Sequence, residues 1–350
     1  MKIGIDARLS KQTGVGRYIR NLYENLEKID KNNKYEYDLI QAQIGWHSLA
    51  EQLIFPFWLF FKNYDLVHFT YFSLPIFYPG KFVLTIHDLI PWHFATGKAS
   101  RLPRPIYYLK SFFYRWVLWV GARRAKHIMA VSETTKQEII DHLKIDPKKI
   151  KVIYEGVNKN FQFSIFNFQK IKPYFLYVGN AYPHKNLESL IEAFREIKDY
   201  KLVLVGPEDY FYKKLRERVK RGKRDKKDGD EEKIIFYGRV DDKELVALYC
   251  QAKAFINPSL MEGFGLPGLE AMNAGCPVIC ADIPAFREIY GEAAIYFKVR
   301  GIGETVKQFL AMPEEERKRL VLAGKKQAEK YSWEKCARQT LEVYESCLGL

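Results

Sequence analysis

Short runs of β-branched and aromatic residues recur along this chain, and a helical pattern stands between most neighbouring pairs. Strand and helix in alternation build parallel sheets wrapped by helices, and this constrains the fold more than any single residue does. In the first half the strand runs are Lys2–Ile5, Asp65–Phe69, Phe82–Ile86, His127–Val131 and Ile150–Ile153. In the second they are Tyr174–Val178, Lys201–Val205, Ile234–Tyr237, Ala254–Asn257, Pro277–Cys280 and Ala294–Phe297. A chain of 350 residues exceeds what one hydrophobic core usually supports. The pattern predicts an α/β protein of two doubly wound, Rossmann-like domains. Asn158–Pro173 breaks both periodicities and ends in proline before a new strand, so the linker is expected there. The domains become 1–165 and 166–334.

Hydrophobic residues make up 47% and charged residues 28%, which excludes wholesale disorder. The longest apolar run, Leu53–Phe61, contains a proline and falls far short of the roughly 20 residues that span a bilayer as helix. Five cysteines without ligand spacing, and no basic-then-apolar leader, point to the cytoplasm.

The net charge of +14 is uneven. Residues 1–165 carry 24 Lys and Arg against 14 Asp and Glu, and the remainder 32 against 28. The first half is therefore the part suited to an anionic partner, such as a lipid headgroup, a nucleic acid or a phosphorylated substrate; solubility is the alternative. Two aromatic segments in this half, Glu51–Lys62 and Pro105–Val120, are either core or membrane-facing, and buried packing is the preferred reading of the first. Arg216–Lys233 is almost wholly charged and reads as a helix end followed by a solvated loop. The Asp228-Gly229-Asp230 within it resembles a metal-binding Asp-x-Asp, but a metal pair belongs at a buried strand end, so no metal site is expected.

The densest chemical signal is Asn257–Cys280. A strand ends near Asn257, a loop carries Glu262-Gly263-Phe264-Gly265, Pro267 enters a helix, and Gly275 closes it. Glycines in the entry loop admit a ligand to the backbone, and free amides at the helix start favour phosphate. Glu262 and Glu270 place two carboxylates at different heights beside that seat, and a carboxylate accepts from both hydroxyls of a sugar diol. Acidic complementation of the helix dipole explains Glu270 poorly, because it lies beyond the first turn.

Glu262, seven residues, then Glu270 resembles the Glu-x7-Glu signature of the retaining GT-B glycosyltransferases of family 4. The likeness extends over almost the whole chain, through IGIDARLSKQTGVGRY, TIHDLIPWHF, VSETTKQEII, VIYEGVN, FLYVGNAYPHKN, LVLVGPED and FYGRVDDKEL. It implies two domains facing across a cleft, the second holding a nucleotide-sugar and the first an acceptor. A final helix, 335–350, would cross back to the first domain. It also implies that Glu270 binds the nucleotide ribose, while Glu262 and the Phe264, Gly265 and Leu266 backbone hold donor sugar and phosphates.

Expulsion of a nucleoside diphosphate without a metal demands fixed cations beside it. Lys185 and Arg239 both follow strands of the second half, where strand ends face the crevice, and are the candidates. Family members often carry an arginine near the lysine; this chain has Asn180 and His184 there instead. Gly14 and Gly16 open a loop after the first strand but lack the third glycine of a dinucleotide fingerprint, which argues against an oxidoreductase. The resemblance turns them, with Arg17, towards donor phosphates. His87 and Asp88 follow a strand, and the resemblance makes them contacts of the transferred sugar. No residue presents itself as a covalent nucleophile.

The expected activity is therefore metal-independent, retaining transfer of a hexose to a hydroxyl of a saccharide or lipid-linked acceptor, in cell-surface polysaccharide or glycolipid synthesis. GDP-mannose is the first donor, followed by UDP-glucose and UDP-N-acetylglucosamine. The motifs look most like those of mannosyltransferases. The expected location is the cytoplasm, at the inner face of the membrane. Two rivals remain: a GT-B nucleotide-sugar epimerase, and a basic nucleic-acid-binding module that would leave Glu262 and Glu270 unused.

Overall fold

The structure, a computed structural model, describes residues 1–12, 14–93, 104–158, 171, 173–221, 233–298 and 300–350. The chain forms two compact units, Met1–Gly156 with Tyr331–Leu350, and Val157–Lys330. Most of the expected linker and the Asp228-Gly229-Asp230 triplet lie outside the described residues.

The first unit is a parallel six-stranded sheet of β1 (Lys2–Asp6), β2 (Glu36–Ile40), β3 (Leu66–Phe69), β4 (Phe82–Ile86), β5 (Ile128–Ala130) and β6 (Ile150–Val152), in the order β2-β1-β3-β4-β5-β6. Every residue of β3 and β4 is buried, as expected of central parallel strands covered on both faces. β2 is absent from the sequence-based expectation. It is an edge strand that pairs only with β1, starts exposed, and holds Glu36 and Asp38 among its five residues, so no apolar run marks it.

The second unit repeats the design with β7 (Tyr174–Val178), β8 (Lys201–Val205), β9 (Ile234–Gly238), β10 (Phe255–Asn257), β11 (Val278–Ala281) and β12 (Ile295–Phe297), ordered β12-β11-β10-β7-β8-β9. In both sheets the chain starts in the interior and winds outward first one way and then the other. The direction reverses between β1 and β3 in the first sheet and between β7 and β10 in the second. Ligand sites of open α/β sheets lie beyond the strand carboxyl ends at such switch points.

The helix Trp333–Leu348 belongs to the first unit, as the family resemblance implied, with the return beginning at Tyr331 rather than 335. Tyr344 on this helix is buried, and its hydroxyl lies 2.6 Å from His68 Nδ1. The first crossing falls between Gly156 and Val157, upstream of the expected 165/166 boundary. At Gly156 the outgoing segment passes against the returning one. A Cβ there would overlap the backbone of Ser332 and Trp333, so only glycine lets the outgoing and returning segments touch.

Burial of Glu51–Lys62 is corrected by the structure. The helix Phe55–Phe61 buries Phe55, Pro56 and Leu59 but leaves Phe57 and Phe61 68% and 76% exposed. Its seven residues make barely two turns, so only one face reaches the core. The helix Arg104–Arg124 likewise buries Leu118 and Ala122 near its end while Tyr108, Leu109, Phe112, Phe113 and Trp116 face outward.

Candidate functional site

At the switch point of the second sheet, the loop after β7 carries Lys185 and the loop after β10 carries Glu262. The turn Pro183–Lys185 brings the lysine up, and Leu260 N–H donates to the His184 carbonyl at 2.8 Å, pinning the two loops together. Lys185 Nζ then donates to Glu262 Oε1 at 2.6 Å, with the two side chains only 16% and 13% exposed. The Ser259 hydroxyl stands 2.7 Å from Asn257 Oδ1 and 2.8 Å from Glu262 Oε1, and its one proton serves one acceptor at a time. Burial alone would raise the Glu262 carboxyl, but the Lys185 charge and hydrogen bond and the Ser259 hydroxyl hold it below its ordinary value. His184 beside them is pushed down to about 4 by burial and by Lys185, so it is neutral near pH 7. The local positive charge is that of the lysine.

The Glu262 loop ends at Gly265, whose φ of +92° is a left-handed conformation suited to glycine. It opens the helix Leu266–Asn273, with Pro267 in the first turn and no side chain capping the start. Phe264 and Leu266 bury their side chains on either side of the glycine. A helix start without a side-chain cap favours an anion through its amides and its dipole. Glu270, one turn further on, is buried, with the Tyr249 hydroxyl at 3.5 Å from Oε2. Asn180 is half-buried after β7; its Oδ1 accepts from Tyr182 N–H at 3.3 Å and its carbonyl from the Tyr177 hydroxyl at 2.7 Å. Arg239 follows the edge strand β9, is exposed, and makes no ion pair among the described residues. The structure thus couples Lys185 to Glu262 and keeps Arg239 out of that pair.

The first unit places its candidates at matching strand ends. Gly14, at φ +59°, precedes the helix Val15–Ile29. At Gly16 a Cβ would come 2.5 Å from the Ser10 carbonyl oxygen, so the loop folds tightly on this glycine. Arg17 is half-buried on the same turn. His87 follows β4 and is 8% exposed. Its Nδ1 lies 3.0 Å from Glu155 Oε1 and its Nε2 3.0 Å from the Thr70 carbonyl. Burial opposes a charge on this ring, but Glu155, the Thr70 carbonyl and Asp88 outweigh it and raise its pKa. Both ring nitrogens therefore face acceptors within the unit. The ring of Tyr18 meets the imidazole edge-on at 4.8 Å. Asp88 Oδ1 accepts from Ile90 N–H at 2.9 Å.

The sequence reading passed over Ser259, Tyr249, Thr70 and Glu155. Glu155 alone carried a signal, as a carboxylate just beyond the strand run that precedes it.

Two family descriptions match the chain: "Glycosyltransferase Family 4" over residues 35–161 and "Glycosyl transferases group 1" over residues 158–327. The O-antigen chain mannosyltransferase RfbU of Salmonella typhimurium is 32% identical over 253 residues, which cover 72% of this chain and 65% of that enzyme. O-antigen chain mannosyltransferase B of Escherichia coli is 33% identical over 178 residues, covering 49% of this chain and 45% of that one. The chain thus spans less than two thirds of the length of these relatives. Among solved structures, sucrose-phosphate synthase from Thermosynechococcus elongatus superposes with a TM-score of 0.79 at 19% identity, covering 100% of this chain and 99% of that one. HepE of Anabaena, solved with UDP-glucose, gives 0.74 at 17% identity over 99% and 100% of the two chains. The two family matches meet at residues 158–161, beside the place where the chain passes from one sheet to the other, and each describes one of the two units. The chain belongs to glycosyltransferase family 4, and its two parallel sheets are those of the GT-B fold.

Proposed function

We propose that this protein is a retaining hexosyltransferase that moves mannose from GDP-mannose to a hydroxyl of a saccharide or lipid-linked acceptor during surface polysaccharide synthesis. The buried Lys185–Glu262 pair carries the reading, because it sets a cation and a sugar-binding carboxylate side by side at a sheet switch point, next to an uncapped helix start. The names of the O-antigen relatives support mannose as the sugar.

In this reading the Phe264, Gly265 and Leu266 backbone seats the diphosphate, Glu270 binds the ribose diol, and Glu262 holds the hexose. The bond from the anomeric carbon to the diphosphate oxygen breaks, and the acceptor oxygen bonds to that carbon from the same face. The acceptor proton passes to the departing phosphate oxygen. Lys185 and Arg239 offset the charge that gathers on the diphosphate, which is where fixed charge lowers the barrier most. Gly14, Gly16 and Arg17 offer amides and a cation from the first unit. His87 and Asp88 line the sugar, His87 as a ring fixed by Glu155 and Thr70 rather than as a mobile acid or base.

Transfer of mannose from GDP-mannose, assayed beside UDP-glucose and UDP-N-acetylglucosamine, tests the reading. Activity is expected to persist in excess chelator, because the counter-charge comes from side chains. A strict manganese or magnesium requirement, restored by adding the metal back, would sink metal independence. Donor turnover that needs no acceptor would favour an epimerase.

We further propose that the first unit rests on an anionic membrane at the cytoplasmic face. Among the described residues no helix is long and apolar enough to cross a membrane. The two segments that carry the exposed aromatics both reach Leu74: Gln52, just before the first helix, bonds its carbonyl, and Gly121 on the second packs against its side chain. Lys62 lies over Trp58 and Arg123 over Trp119, so cations border the apolar surface. Anionic liposomes are expected to co-sediment the protein at low salt and release it at high salt. Phe57→Asp combined with Phe112→Asp should abolish binding, and no binding at low salt by the unsubstituted protein would remove the membrane contact.

A further inference from the structure

Tyr290 ends the helix Pro284–Tyr290, and its ring is buried and stacked on Phe286 with centroids 5.0 Å apart. Its hydroxyl donates to the Gly265 carbonyl at 2.5 Å. That carbonyl also accepts from Gly268 N–H at 3.1 Å, as the first bond of the helix Leu266–Asn273. The fit is close on every side. A Cβ on Gly265 would stand 2.5 Å from the Tyr290 hydroxyl, and one on Gly268 would overlap the same oxygen. The two glycines therefore make room for this phenol, as well as providing the turn.

A trans peptide is planar, so its carbonyl and its N–H point in opposite directions. The Gly265 carbonyl is drawn to a fully buried phenol, so the N–H of Leu266 points the other way, away from Tyr290. That amide belongs to the helix start that no side chain caps. We propose that Tyr290 is a positioning residue of the donor site: its hydroxyl fixes the Gly265–Leu266 peptide so that the Leu266 N–H faces the donor diphosphate. The proposal rests on the reading of this loop as the diphosphate seat. It adds a residue from outside the Glu-x7-Glu segment, on a separate helix, and explains why both Gly265 and Gly268 are needed.

Tyr290→Phe keeps the ring and its stacking and removes only the oxygen. Dissociation constants for GDP and UDP, and for guanosine and uridine, are measured for this variant beside the unsubstituted protein. Diphosphate affinity is expected to fall five- to twentyfold while nucleoside affinity stays within twofold, and the donor KM should rise with kcat little changed. Tyr296→Phe is the comparison. The Tyr296 hydroxyl likewise faces backbone carbonyls, those of Phe286 at 3.1 Å and Gly291 at 2.6 Å, rather than that of Gly265, so diphosphate affinity should stay near its original value. Unchanged diphosphate binding in Tyr290→Phe, equal losses of nucleoside and diphosphate, or the same selective loss in Tyr296→Phe would each overturn the proposal. If the unsubstituted protein bound neither GDP nor UDP, the donor reading itself would fail and this proposal with it.

Discussion

Lys185→Met is expected to lower kcat/KM for the nucleotide-sugar by about a hundred- to a thousandfold, the range found when a preorganised charge-stabilising donor is removed. The same substitution leaves Glu262 as a buried carboxylate without its cation. Breaking one side of a buried pair typically costs about 3–5 kcal/mol, so the variant should also melt earlier. Stability and catalysis are separated by adding Glu262→Gln. The double variant no longer buries an unpaired charge and should recover most of the lost stability. If Lys185 is the phosphate counter-charge and Glu262 the sugar carboxylate, it should not recover activity, because neither has returned. Melting temperature and initial rate measured on the two single variants and the double variant decide the matter, and restored turnover in the double variant would reduce the pair to a structural clasp.

The two glutamates should fail in different ways. If Glu270 holds a ribose diol, that interaction is equal in ground and transition states, so Glu270→Gln raises the donor KM and leaves kcat nearly unchanged. Charge-assisted hydrogen bonds of this kind contribute about 1.5–3 kcal/mol, which corresponds to a loss on the order of ten- to a hundredfold. If Glu262 holds the sugar whose ring gains charge during transfer, Glu262→Gln should depress kcat with little change in GDP affinity. Equilibrium binding of GDP measured alongside steady-state rates separates the two. Equal loss of GDP affinity in both variants would place Glu262 on the nucleotide, and normal kinetics in both would remove the glycosyltransferase reading.

Apolar runs announce strands, and five of the six in the first unit and all six in the second stand where their runs do, within a residue or so at each end, the edge strands β6, β9 and β12 included. β2 escaped because an edge strand with two carboxylates needs only an intermittent apolar face. Lys185 and Glu262 could each be singled out as polar groups just past a strand. Their contact across 77 residues could not, since it depends on β7 and β10 being neighbours, and strand order is written in tertiary packing rather than in any local pattern. His87 and Glu155, 68 residues apart, were separated for the same reason. The aromatic helix Phe55–Phe61 misled in the opposite direction. Its composition argues for burial, yet so short a helix covers the core with Phe55 and Leu59 and has nowhere to put its other rings.

The close passage of Gly156 against Ser332 and Trp333 has a consequence for synthesis on the ribosome. The first unit emerges first but lacks its closing helix until the whole of Val157–Lys330 has been translated. At about 5–20 residues per second, that delay is roughly 9 to 35 seconds. Throughout it, His68 and Tyr18 lack the rings of Tyr344 and Trp333 that pack against them in the finished unit. Of the two units, the one translated first is thus the last to be completed, and a stop codon between residue 156 and the closing helix damages it together with the second unit.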